Sequence, residues 1–284
     1  MTAVIHDIGY RRYDGPRLGR FPAALALARH SLRGAYGLGR PAKSKILPFL
    51  IAAIMMLPAV VSIAVMALLK QEAISYPAYM VTMEAVIAIF LATQSPYMVA
   101  PDLRFRVLPL YLSRPVGIVD YVGAKLAALA TALFVLLAVP LTILFIGELL
   151  IDLPGPPHTH DYLAALVGGV VLSVLLASIG LALASFTPRR GLGVASVIAF
   201  YLFTSAVSAV FVGVLQSVGK SEAAAWAWLA NPFFLVDAVQ VWLFGTNPIG
   251  DGYPPGPWAL VIVLVVTALA VLGLLARYRK AATA

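Results

Sequence analysis

The sequence predicts an all-α integral membrane protein with six transmembrane helices, and three observations carry that prediction. Of 284 residues, 62% are hydrophobic and 11% charged, with a mean hydropathy of +0.95. A soluble domain of this size has too little interior to hide so much apolar surface, so lipid must act as its solvent. The apolar residues also gather into six long runs, 46–69, 79–99, 121–150, 162–185, 193–215 and 257–276. At about 1.5 Å rise per residue the shortest reaches roughly 30 Å. Runs of this length are helices rather than barrel strands, because lipid offers no partner to an unpaired backbone group. Finally, the basic residues are sorted by side. The first 45 residues, Arg104, Arg106, Arg114, Lys125, Arg189, Arg190, Arg277, Arg279 and Lys280 fall on one side of the spans, leaving Lys70 and Lys220 opposite. That asymmetry places both termini in the cytoplasm of a multi-pass cell-membrane protein. Glu72, Glu148, Asp152, Asp161, Glu222, Asp237 and Asp251 lean toward the outer face. The net charge of +8 is thus a topology signal. It is spread along the inner rim rather than gathered as a nucleic-acid footprint.

Along the chain, residues 1–45 read as a basic cytoplasmic segment before the six-helix domain, 46–284. Within it, Phe21 to about Tyr36 reads as an interfacial helix, with Phe21, Leu25, Ala28, Leu32 and Tyr36 on one face and Arg29 and Arg33 beside it. Leu27 falls opposite. The first 30 residues lack an apolar signal-peptide core, so the first span is expected to direct insertion. Pro48 and Pro58 predict a bend in that span, and Pro140 a kink in the third. The fourth and fifth spans carry small-residue ladders, Gly169/Ser173/Ala177 and Ser205/Ala209/Gly213, which permit close helix approach. The outer connection 216–256 holds a further apolar run broken at Asn231-Pro232. As a seventh span it would put Arg277, Arg279 and Lys280 outside, so it reads as a re-entrant pair of short helices. Asn231, Asp237 and Gln240 are its candidates for an outer gate.

The connection 102–125, DLRFRVLPLYLSRPVGIVDYVGAK, combines charges, prolines and an amphipathic core. Ser95-Pro96 and Pro101 are expected to end the second span, and Asp102 to cap a rod of about three turns, Leu103–Leu112, exposing Leu108, Tyr111 and Leu112. Ser113-Arg114-Pro115 breaks the rod, and Asp120 caps the third span, which carries Lys125. A rod held between two spans can pass motion from a cytoplasmic partner into the membrane.

Here the chain resembles the membrane subunits of ABC transporters of the ABC-2 type, whose second inner connection has an acidic residue, a Leu-rich stretch, a Ser/Thr-Arg-Pro turn and an aromatic residue leading into a Lys-bearing helix. The matching residues are Asp102, the run 108–112, Ser113-Arg114-Pro115, Tyr121 and Lys125. Asp102 stands where that family more often has Glu. The resemblance implies a coupling helix contacting an ATPase subunit through Asp102, Arg104, Arg106, Leu108, Tyr111, Leu112 and Arg114. It also implies a second permease, identical or different, and a pathway lined by the second and fifth spans through Thr93, Gln94, Phe200, Tyr201, Thr204, Ser208 and Phe211. The aromatic and hydroxyl side chains of the fifth span suit an amphiphilic or apolar solute, and export follows by the resemblance. ATP and Mg belong on the partner: Gly213–Ser221, GVLQSVGKS, has one residue too many for a phosphate loop, and no cofactor is expected in this chain.

Glu84 is the acid well inside a span, and intramembrane acids serve either as proton or substrate contacts or as structural partners. A channel or non-ABC transporter centred on Glu84 is the alternative reading. An anchoring or sensing component without transport is a third. His158, His160 and Asp161 form an HxHD cluster read as solvated rather than metal-binding. Asn231-Pro232 and Asn247-Pro248 read as helix caps. The chain has no cysteine, hence no disulfide or thiol chemistry, and no protease motif.

Overall fold

The computed structural model describes residues 19–71, 74–113, 115–151, 155–187 and 189–282, with Gly9 and Gly15. The described residues hold helices and no strand: α1 (Arg20–Ala35), α2 (Lys43–Leu69), α3 (Tyr76–Thr82), α4 (Glu84–Arg104), α5 (Leu108–Leu112), α6 (Ile118–Leu150), α7 (Thr159–Phe186), α8 (Arg190–Ser217), α9 (Ser221–Trp228), α10 (Pro232–Phe244) and α11 (Trp258–Ala282). Six of them, α2, α4, α6, α7, α8 and α11, are long and apolar enough to cross a membrane.

The bundle is arranged around α7. In its apolar stretch 67% of residues are buried within the protein, against 17% in α8 and α11, so α7 is central and the other two present most of their surface outward. Small residues make this possible. A Cβ on Gly180 would lie 2.7 Å from Leu91 Cδ1, and Gly168 leaves no room for one beside Gln240. Gly169, Ser173 and Ala177 are all buried, as their spacing predicts. The equivalent ladder of α8 behaves differently: Ala209 and Gly213 are exposed, and nothing lies near a Cβ built on Gly213. Pro96 closes on Gly193, where a Cβ would come within 2.9 Å, while Glu84 meets Tyr201. These two contacts make α4 and α8 antiparallel neighbours.

Several elements differ from expectation. The second span is divided at Met83, where α3 ends and α4 begins. It also runs past Pro96 and Pro101 to Arg104, because a proline removes one backbone bond while burial of Pro96 among neighbouring helices holds the turn in place. Asp102 is therefore in the last turn of α4 and caps nothing. The expected rod shrinks to the five residues of α5, after a break in which Arg106 takes a left-handed conformation, φ 51°. Leu108 is buried rather than exposed. In α1, Leu32 and Tyr36 of the expected apolar face pack on the core and Phe21 is 76% exposed, but Leu27, expected opposite, packs on the core too, beside the buried Ser31, Gly34 and Ala35. Close approach to α6 selects the small side chains over the large ones. The outer connection does break at Asn231: α9 and α10 meet at 109°, and Asn231 accepts the Phe233 N–H as an N-cap. Asn247 caps no helix and lies in the loop before α11.

Gly180→Val forces a branched side chain into Leu91 and Ser95. It is expected to destabilise the protein by about 1–3 kcal/mol, read as a lower unfolding midpoint in detergent. Gly213→Val should leave the midpoint where it is.

Candidate functional site at the basic end

α4 ends, α6 and α8 begin, and α11 ends at the same end of the bundle, and their terminal residues form one constellation. Asp102 makes an ion pair with Lys125 Nζ at 3.0 Å, with side chains only 13% and 10% exposed. Lys125 also donates to the Met98 carbonyl at 2.9 Å, and the Tyr121 hydroxyl donates to Asp102. The Tyr121 ring lies 5.4 Å from that of Tyr111 on α5 and 5.2 Å from Tyr278 on α11. Asp102 thereby joins α4 to α6, and Tyr121 joins both to α5 and α11. A largely buried pair that keeps further hydrogen bonds satisfied is hard to break from one side only. Beside it, Gly117 N–H donates to Asp120, which also meets Arg20 Nε of α1 at 2.5 Å.

Outward from this clamp the surface is apolar and basic together. Phe105 and Leu110 are 68% and 70% exposed and rim a hollow of about 480 Å³ with Pro101, Val107 and Tyr111. Arg104 and Arg106 line a separate, larger cavity. Tyr111 and Leu112 are half-buried, and Arg114 lies outside the described residues. Of the predicted contact residues, Asp102 and Leu108 thus serve the interior, while Arg104, Arg106 and part of Tyr111 remain at the surface.

The predicted pathway residues do not meet at one depth. Glu84 is level with Tyr201, and Thr93 lies about nine residues further along α4, roughly 14 Å away at 1.5 Å per residue. Thr93 bonds back to the Ile89 and Phe90 carbonyls, and Gln94 sits beside Arg40, Tyr97 and Arg190 at the basic end. On α8, Thr204 bonds back to Phe200 and Tyr201 carbonyls, Ser208 is buried and Phe211 is 56% exposed.

The acids nearer the opposite end are each held by more than one donor. Glu84 accepts from Tyr201 Oη at 3.1 Å and from Asn231 Nδ2 at 3.0 Å. Asp237 accepts from Tyr253 Oη at 2.5 Å and from the Ile249 amide at 3.2 Å. Burial and the Asp237 carboxylate push the Tyr253 hydroxyl above its ordinary range. Gln240 is buried with its amide unpartnered among the described residues. Sequence reasoning missed the cluster at Glu148, which accepts from the Tyr76 hydroxyl and from the His158 amide and meets His158 Nδ1 at 2.8 Å. His158 is therefore occupied, His160 pairs with Asp161 at 3.2 Å, and no group of three metal-ligating side chains forms among the described residues. Only the return of a buried acid and a histidine across the outer loop, ten residues apart, hinted at that cluster.

No family model matches the sequence, and no curated protein matches it either.

Asp102→Ala leaves Lys125 without its counter-ion and should cost about 3–5 kcal/mol. The double variant Asp102→Asn with Lys125→Met should unfold at a higher midpoint than Asp102→Ala alone, since it removes both charges together. Asn231→Asp keeps the cap on Phe233 but sets a second carboxylate against Glu84. Its unfolding midpoint should fall below that of the wild type, and adding Glu84→Gln should recover part of the loss by removing the repulsion.

Proposed function

We propose that this chain is the permease subunit of an ABC-2 type ABC transporter, working as a dimer with a second permease and driven by separate nucleotide-binding ATPase subunits that hold ATP and Mg. In this reading the basic end is cytoplasmic, hydrolysis resides in the partner, and an amphiphilic or apolar solute is exported. The observation that carries it is α5. A five-residue helix presents Leu110, with Phe105 beside it, while its neighbours Asp102, Tyr121 and Lys125 lock α4 to α6. A partner that displaced α5 would tilt two spans together, because the buried pair resists separation. The resemblance of residues 102–125 to the family's coupling segment supports the same assignment. The bonds that Tyr201 and Asn231 make to Glu84 favour a structural role for that acid over an ionisable transport centre.

Phe105→Asp with Leu110→Asp alters two exposed side chains and leaves the clamp intact. A tagged wild-type chain taken from its native membrane in mild detergent should bring down an ATPase bearing Walker motifs, identified by mass spectrometry. The double variant should recover at least about tenfold less, a loss of ~1.4 kcal/mol in binding. A well-folded wild-type chain that retains no ATPase would sink the assignment.

A further inference from the structure

We propose that the basic end also holds a binding site for a phosphate-bearing anion, in a cavity lined by Arg104, Arg106, Arg189, Arg190 and Arg277. The cavity measures about 720 Å³, within the roughly 300–1,000 Å³ typical of small-ligand sites. Five guanidinium groups share it with one acid, Asp102. That acid is already engaged by Lys125 and Tyr121, so it does not neutralise them. Arg277 donates to the Ser185 carbonyl at 3.2 Å, and Arg190 lies 6.0 Å from the Tyr97 ring centroid. Neither contact supplies negative charge, and no ion pair to Arg104, Arg106, Arg189, Arg190 or Arg277 is present among the described residues.

Like charges gathered round one concavity repel unless an anion fills it. Guanidinium groups are the side chains best shaped to grip phosphate oxygens in pairs. Gly191, in the first turn of α8, also lines the cavity and adds the amide-rich end of a long helix. The cavity lies between the start of α8 and the end of α11, the two spans least covered by protein. A phospholipid of the adjoining leaflet can therefore bring its headgroup in from the side, and free phosphate can enter from water. Arginine stays charged at all working pH, so occupancy depends on salt rather than on pH.

This site shares Arg104 and Arg106 with the expected ATPase contact, and it is tested with no partner present so that the two readings fail separately. The purified full chain is heated in non-ionic detergent at matched ionic strength. Phosphatidylglycerol, phosphatidylcholine or inorganic phosphate is added, and native mass spectrometry counts retained anions. A midpoint raised by several degrees with phosphatidylglycerol but not phosphatidylcholine assigns the site to an anionic headgroup. A rise with inorganic phosphate alone assigns it to free phosphate. Either rise should vanish in Arg189→Gln with Arg190→Gln and survive in Arg29→Gln with Arg33→Gln, whose residues line a different hollow. If the first double variant does not fold, Arg106→Gly takes its place. It removes a guanidinium while relieving a left-handed backbone. No rise with either probe, or a rise undiminished in the folded cavity variant, overturns the proposal and leaves the arginines to contacts with a protein.

Discussion

Six other helices pack on α7, and in lipid they gain little from hiding apolar surface there, because the solvent is as apolar as the side chains. Association must come from close contact between well-fitted surfaces. α7 meets that demand by being thin where it is crossed. Gly180 admits Leu91 of α4, Gly168 admits Gln240 of α10, and Ser173 and Ala177 lie between. Once α4 is seated at Gly180, its far end carries Asp102 to Lys125, and its near end carries Glu84 to Asn231. The polar contacts at both ends of the bundle thus depend on the absence of a few methyl groups near its middle.

Three acids within the fold follow one pattern. Glu84, Glu148 and Asp237 each accept from a tyrosine hydroxyl and from at least one further donor. Such bonds let Glu84 and Asp237 sit among apolar residues with no ion pair among the described residues, while Glu148 also has His158 beside it. Asp102 adds a lysine to that pattern. Tyrosine is suited to the task, since its ring packs with the core while its hydroxyl supplies the donor.

The spans were legible because length and hydropathy are properties of a segment alone, and the break at Asn231-Pro232 was legible because proline and a capping side chain act locally. The division at Met83 carries no such mark: no proline or glycine stands there, and Tyr79, which donates to the Met55 carbonyl 24 residues earlier, ties α3 back to α2 through a contact that the local sequence does not show. In α1, hydrophobic periodicity marks the stripe from Phe21 to Tyr36, of which Leu32 and Tyr36 pack on the core, but it gives no signal for the buried Ser31 and Gly34, which the close approach of another helix selects. At the basic end, Asp102 was recognised by its motif, but its partnership with Lys125 and Tyr121 required the fold. The arginine cavity is assembled from three separate segments, and no single stretch of sequence announces it.

The bond between Glu84 and Asn231 spans 147 residues of chain, and that distance has a meaning in time. A protein made from its N-terminus presents α4 to the membrane long before α10 exists. Tyr201 becomes available first, 117 residues after Glu84, and Asn231 only later. Until Tyr201 is made, Glu84 lacks both of its donors, and a lone carboxylate in lipid is costly. The second span is therefore held provisionally during synthesis, and its final depth is fixed by residues from the last third of the chain.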